Sequence, residues 1–240
     1  RARRGYQAAT EAEVAARRAA AAALDPEVAA RESALASLGT IRSDRPFHMA
    51  AGVAWQASDA GAQPRPVVWV VGELDISAVR QMEWSAGGEV SVTLVAPGGQ
   101  PVAAEQATVS AAARTFLLHL RQTLAPGEYL VRARVHGRSG SGADAGEQVH
   151  VTVPDARANS AGALGQPLLF RRGPFTGPGF QPTADLRFRR AERLRVDVPL
   201  GGQAEVLAAT LLDRKGQPLP IPVATAERED AGVRFVSAEV

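Results

Sequence analysis

Four histidines, His48, His119, His136 and His150, are the residues most able to do chemistry in this chain. Imidazole ligates zinc and exchanges protons near neutral pH. His119, His136 and His150 fall on three consecutive strand-like segments or at their ends, so their convergence would make a metal site or an enzyme's centre. No H-x-H or H-x-x-x-H pair pins any two of them together, and the expectation is scattered surface histidines with no metal. Asp185, Asp197, Asp213, Glu227 and Asp230 include no tight pair with a spacing suited to acid and base roles. No G-x-S-x-G places a serine on a nucleophile elbow. Gly173 to Gly179 reads Gly-Pro-Phe-Thr-Gly-Pro-Gly, with prolines where a phosphate-cradling loop needs backbone donors. Cysteine is absent, which excludes disulfides, thiolate metal sites and a cysteine nucleophile. Neither catalysis nor a cofactor is expected.

Two surface features suggest binding instead. Arg187, Arg189, Arg190, Arg193 and Arg195 crowd one segment. Read as strands, it sets Arg187 and Arg189 opposite Leu186 and Phe188, and Arg193 and Arg195 opposite Leu194 and Val196. The plain reading is a solvated strand face; the functional one is a patch for lipopolysaccharide, acidic glycan or another polyanion, weakened by salt. The formal charge is only +2, Lys215 is the sole lysine and the arginines are spread along the chain, so nucleic acid is not the expected partner. Trp69, inside an apolar run, is expected in a core. Trp84, beside Gly87 and Gly88, is the tryptophan expected nearest the surface, where it would stack on sugars.

The elements that must position these residues are mainly strands. Leu124, Pro126, Gly127 and Tyr129 have the L-x-P-G-x-Y spacing of a tyrosine corner, whose hydroxyl reaches back to a backbone group a few residues upstream. Around it, period-two or apolar runs predict seven strands: Phe47 to Trp55, Val67 to Leu74, Glu89 to Val95, Val102 to Val109, Thr115 to Arg121, Glu128 to Val135 and Gln148 to Val153. Pro97-Gly98-Gly99 and the Gly/Ser stretch 137–146 read as turns or loops. The expected fold is an Ig-like or fibronectin-III-like β-sandwich over 42–154. Residues 155–165 are expected to link it to a second sandwich from 166 to 240.

An internal repeat supports that second copy. At an offset of 117, the distance from Thr93 to Thr210, Thr93-Leu94 matches Thr210-Leu211. Gly99-Gln100-Pro101 then matches Gly216-Gln217-Pro218, and Ala107-Thr108 matches Ala224-Thr225. The counterpart of Tyr129 would fall near position 246 (129 + 117), past Val240. The expectation is an incomplete second sandwich, either truncated or completed by strands from a partner. Before the strands, Thr10-Glu11-Ala12-Glu13 has capping-box spacing, Asp25-Pro26 reads as an N-cap and first helical residue, and Gly39 as a stop. Residues 10–39 are expected to be a helical connector and 1–9 the remnant of an upstream domain. No apolar run reaches the roughly 20 residues that span a bilayer as a helix.

Arg1-Ala2-Arg3-Arg4-Gly5-Tyr6 resembles the closing R-A-R-x-G-Y segment of von Willebrand factor A-related proteins of the acidobacterial type. The helical connector and β-sandwich segments that follow are similar to that family's layout. The resemblance implies an exported or cell-surface bacterial protein whose adhesion-type A domain lies upstream. That domain's metal motif, D-x-S-x-S, does not occur here, so metal-dependent adhesion is carried onto no residue of this chain. The expected function is a non-catalytic structural or protein-interaction segment, its partner another protein or the A domain of the same polypeptide. A carbohydrate- or polyanion-binding module is the alternative.

Overall fold

A computed structural model describes residues 45–56, 65–75, 84–139, 144–155, 164–174, 176–201, 208–213 and 215–240. The expected upstream remnant and helical connector lie outside them, as does most of the expected linker. The described residues belong to the compact unit Asp44–Val240. They are mainly β, arranged as two sheets.

Seven strands match the seven periodic runs: β1 Phe47–Gln56, β2 Arg65–Leu74, β3 Gly88–Val95, β4 Pro101–Val109, β5 Thr115–Leu120, β6 Gly127–Gly137 and β7 Asp144–Val153. The first part of one sheet has the order β5-β2-β1, and the second sheet has the order β4-β3-β6-β7, all pairs antiparallel. Alternation of size and polarity decides which side chains meet between them. Phe47, Met49 and Val53 of β1 and Val68, Val70 and Leu74 of β2 face Val90, Val92 and Leu94 of β3 and Tyr129, Val131 and Val135 of β6 in one apolar core. The rings of Phe47 and Phe116 stack with centroids 6.3 Å apart, and both lie where a side chain at Gly72 would stand. The stretch 137–146 is not all loop: β6 runs to Gly137 and β7 starts at Asp144, because His136 pairs with Asp144 in register.

Five further strands follow: β8 Leu168–Arg172, β9 Gln181–Pro182, β10 Arg193–Leu200, β11 Ala224–Asp230 and β12 Val233–Glu239. They continue the first sheet: β12 meets β1 at Gln56↔Val233, and the path runs on through β10 and β8 to β9. The order β12-β10-β8 repeats that of β5-β2-β1. No second, facing sheet accompanies β8–β12 among the described residues; between 208 and 223 only Leu212↔Pro218 forms a bridge. The apolar side chains on one face of these strands instead pack with the first copy. Leu168, Phe170, Val233 and Phe235 form a second core with Ala54, Trp69 and Val71. This explains why Val67–Leu74 is buried on both faces and reads as a continuous apolar run.

The repeated turn has one geometry in both copies. The Ala96 and Asp213 amides donate to the Gln100 and Gln217 carbonyls, each at 2.8 Å. Gly99 and Gly216 follow with φ of 81° and 79°, a left-handed conformation that costs glycine least. At the β11–β12 hairpin Ala231 and Gly232 both have positive φ, as a two-residue turn matched to strand twist requires.

Candidate functional site: a charged joint, a polar trough and an apolar face

The tyrosine corner lies where the L-x-P-G-x-Y spacing put it. Tyr129, buried near the start of β6, donates from its hydroxyl to the Ala125 carbonyl at 2.9 Å. Leu124 is buried in the same core, and Gly127 opens the strand with φ of 153°.

The arginine segment departs from its sequence reading. Residues 185–189 are not a strand, because Asp185 turns the chain: its carboxylate accepts from the Arg187 backbone amide at 3.0 Å and from Nε at 2.8 Å. Arg187 also reaches Asp75 at 2.9 Å. Arg195, expected on a solvated face, is 8 % exposed, whereas Leu194 and Val196 are half-buried. Its guanidinium lies 4.1 Å from the ring centre of Phe170 and 4.9 Å from that of Phe180, with Nε 3.0 Å from Asp197. The planar cation stacks on rings while its charge is matched, which makes it tolerable inside. Ser237 donates to the same Asp197 oxygen at 2.7 Å. Arg189, Arg190 and Arg193 are exposed.

These contacts belong to a joint between the two copies. Its centre is Glu73 of β2, 2 % exposed. One carboxylate oxygen accepts from the Thr183 hydroxyl at 2.6 Å and from the Ala184 and Asp185 amides, each at 3.2 Å. The other oxygen stands 3.6 Å from Arg114, whose guanidinium also donates to the Leu74 carbonyl. Arg171 of β8 donates to Thr183 and to the Asp185 carbonyl. Burial opposes ionisation of Asp185, but the Arg187 hydrogen bonds and charge outweigh it and hold the carboxyl below the usual carboxylate range. The same pairing raises the Arg187 pKa. Burial lowers that of Arg195, against the pull of Asp197.

The histidines do not converge. His119 is on β5 of the first sheet, and burial lowers its pKa. His136 and His150 are on β6 and β7 of the other sheet. His150 pairs with Leu130, six positions from His136 along β6, so the two are roughly 20 Å apart. No metal-competent group of three or more His, Asp or Glu occurs among the described residues. Trp84, expected nearest the surface, is 2 % exposed inside the first core, because the turn through Gly87 folds it under the sheet. A sugar platform built on it is therefore excluded.

Two surfaces escaped the sequence reading. On the solvent face of β4-β3-β6-β7 lies a trough of about 960 Å³. On β10 and β12, the face opposite Arg195 and Asp197 carries Leu194, Val196, Val198 and Leu200 beside Val236 and Ala238. Leu194, Val196, Val198 and Ala238 are only half-buried. Alternation in Arg193–Leu200 is visible in the sequence, but the arginines drew attention to the opposite face.

No family model matches the chain, and no curated protein or solved structure matches it. No helix among the described residues is long and apolar enough to cross a membrane.

Proposed function

We propose that this chain is a non-catalytic structural and protein-interaction segment of an exported von Willebrand factor A-related protein. The observation that carries the interaction is the apolar face of β10 and β12. In the first copy, every large aliphatic residue of the β1–β2 inner face is at most 8 % exposed because β3 and β6 lie over it. On β10 the corresponding run Leu194, Val196 and Val198 has no such cover among the described residues. Burying such a face yields about 25 cal/mol per Å², so a partner with a complementary apolar surface is favoured. The partner surface we favour is a β-hairpin with alternating apolar residues, of the kind β6 and β7 present to the first core. The family context rests on the resemblance of Arg1 to Tyr6 and of the layout that follows it.

Site-specific photocrosslinking in the natural protein tests this. A crosslinker at Val196 should capture a protein segment, in another chain or elsewhere in the same one, while the same group at Gln106 on the polar sheet should not. Equal background capture at both positions would end the reading. A second reading, polyanion binding, is favoured by exposed Arg189, Arg190 and Arg193. It requires salt-sensitive retention on heparin that falls when those three become Ala.

A further inference from the structure

We propose that the trough on the four-stranded sheet is a binding site for a neutral, hydroxyl-rich oligosaccharide. It lies on the other sheet from the apolar face of β10 and β12, and it does not depend on the interaction proposed there.

Strand register builds the trough from two rows. One row crosses the sheet as Thr108, Glu89, His136 and Asp144, and the next as Gln106, Ser91, Arg134 and Gly146. All eight are exposed, as the outward half of the period-two alternation demands. The second row is low where Ser91 and Gly146 stand, and Gln106 and Arg134 rise beside them. Gly146 places no side chain over the floor. The volume, about 960 Å³, is at the upper end of the range for small-molecule sites.

The chemistry of the lining selects the ligand. A sugar hydroxyl both donates and accepts, so its site needs both kinds of group within reach of neighbouring hydroxyls. Glu89 and Asp144 only accept when ionised, Arg134 only donates, and Gln106 and Ser91 do both. Strands stand about 4.8 Å apart and alternate residues about 6.6 Å apart along a strand, a grid on the scale of a sugar ring. The first row is already ordered: His136 Nδ1 lies 2.7 Å from Asp144, and Arg138 lies 3.8 Å from Glu89. Two carboxylates in the lining disfavour sulfated or phosphorylated chains, and a lining without phenylalanine, tyrosine or tryptophan among the described residues disfavours aromatic ligands. Without an aromatic platform the affinity should be on the order of millimolar.

The test is amide chemical-shift mapping of the whole chain with cellotetraose, maltotetraose and chitotetraose, each to about 20 mM. The expected result is saturable shifts from at least one of them, confined to β3, β4, β6 and β7. Arg134→Ala should weaken that binding by about tenfold, and Ser91→Leu, which fills the floor, should abolish it. Both sites are exposed, and an unchanged spectrum outside the sheet would show that the variants fold. No saturable shift with any of the three, shifts centred elsewhere, or binding undiminished in both variants would overturn the proposal.

Discussion

The two cores of this protein are held in different ways. Between β1-β2-β5 and β3-β6, valine, leucine and phenylalanine meet around the Tyr129 hydroxyl, which is satisfied locally. Between the first copy and β8–β12, a smaller apolar cluster is bordered by Glu73, Arg171, Thr183, Asp185, Arg195 and Asp197. An apolar core tolerates many arrangements of similar volume. A buried carboxylate with three donors on one oxygen tolerates few. The joint therefore fixes how the copies meet, and the first core supplies most of the cohesion.

Removing one member from each region gives the largest effects and separates these roles. Glu73→Ala should cost about 3–5 kcal/mol, because Arg114, Thr183 and two amides lose a shared partner in the interior. Leu94→Ala, at a fully buried position, should cost about 3–5 kcal/mol by transfer and cavity alone. Denaturant unfolding measures both, and hydrogen exchange divides them. Glu73→Ala should expose β8 and β10 amides while β3 and β6 stay protected; equal loss in all four strands would mean the joint and the core are one cooperative unit. A double-mutant cycle of Glu73→Ala with Thr183→Ala should show coupling of about 0.5–3 kcal/mol.

Tyr129→Phe is a smaller probe of the first core. It leaves the Ala125 carbonyl without its donor and should cost about 1–3 kcal/mol. A change within about 0.3 kcal/mol would mean water replaces the hydroxyl without loss.

Acid should act on His119 of β5 before it acts on the joint. The Asp185 carboxyl is depressed in the folded protein, so its contribution is fully present above about pH 4, the ordinary carboxylate value, and is lost as pH falls through its lower folded pKa. Burial also keeps His119 neutral to lower pH than usual, so the fold loses some stability as pH drops below about 6.5. Stability measured from pH 7 to pH 2 should fall in these two windows, and Asp185→Asn should flatten the lower one.

The parts legible in the sequence are those that local pattern decides. Strands β1–β7 followed from alternation, the start of β6 from Pro126-Gly127, and the turn at Gly216 from its copy at Gly99. What escaped depended on which of two faces a second layer covers. In Arg193–Leu200 one face holds arginine and aspartate and the other leucine and valine, and the pattern alone puts the charged face outside. Here Phe170, Phe180 and Asp197 accommodate Arg195 within, while Leu194, Val196 and Val198 on the aliphatic face are only half-buried. Phe170, on β8, and Phe180 lie outside Arg195's own strand, beyond the reach of its alternation. The trough was hidden for a similar reason, since its rows exist only once four strands are in register.

The repeated turn offers the smallest test and compares the copies directly. Gly99→Ala and Gly216→Ala place a Cβ on backbones of nearly equal φ, so strain should be similar, about 1 kcal/mol each. Nothing lies within 4 Å of the added carbon at Gly99, so strain is the whole local cost there. What differs is the surroundings: Gly99 joins β3 to β4 in a closed sandwich, whereas Gly216 joins segments linked by the single bridge Leu212↔Pro218. The Gly99→Ala cost should appear in full in global unfolding. The Gly216→Ala cost should appear as faster local exchange near the turn, with a global change below about half as large. Equal global effects would mean that residues 208–223 unfold together with the first sandwich, and that the two copies form a single cooperative structure despite their different cores.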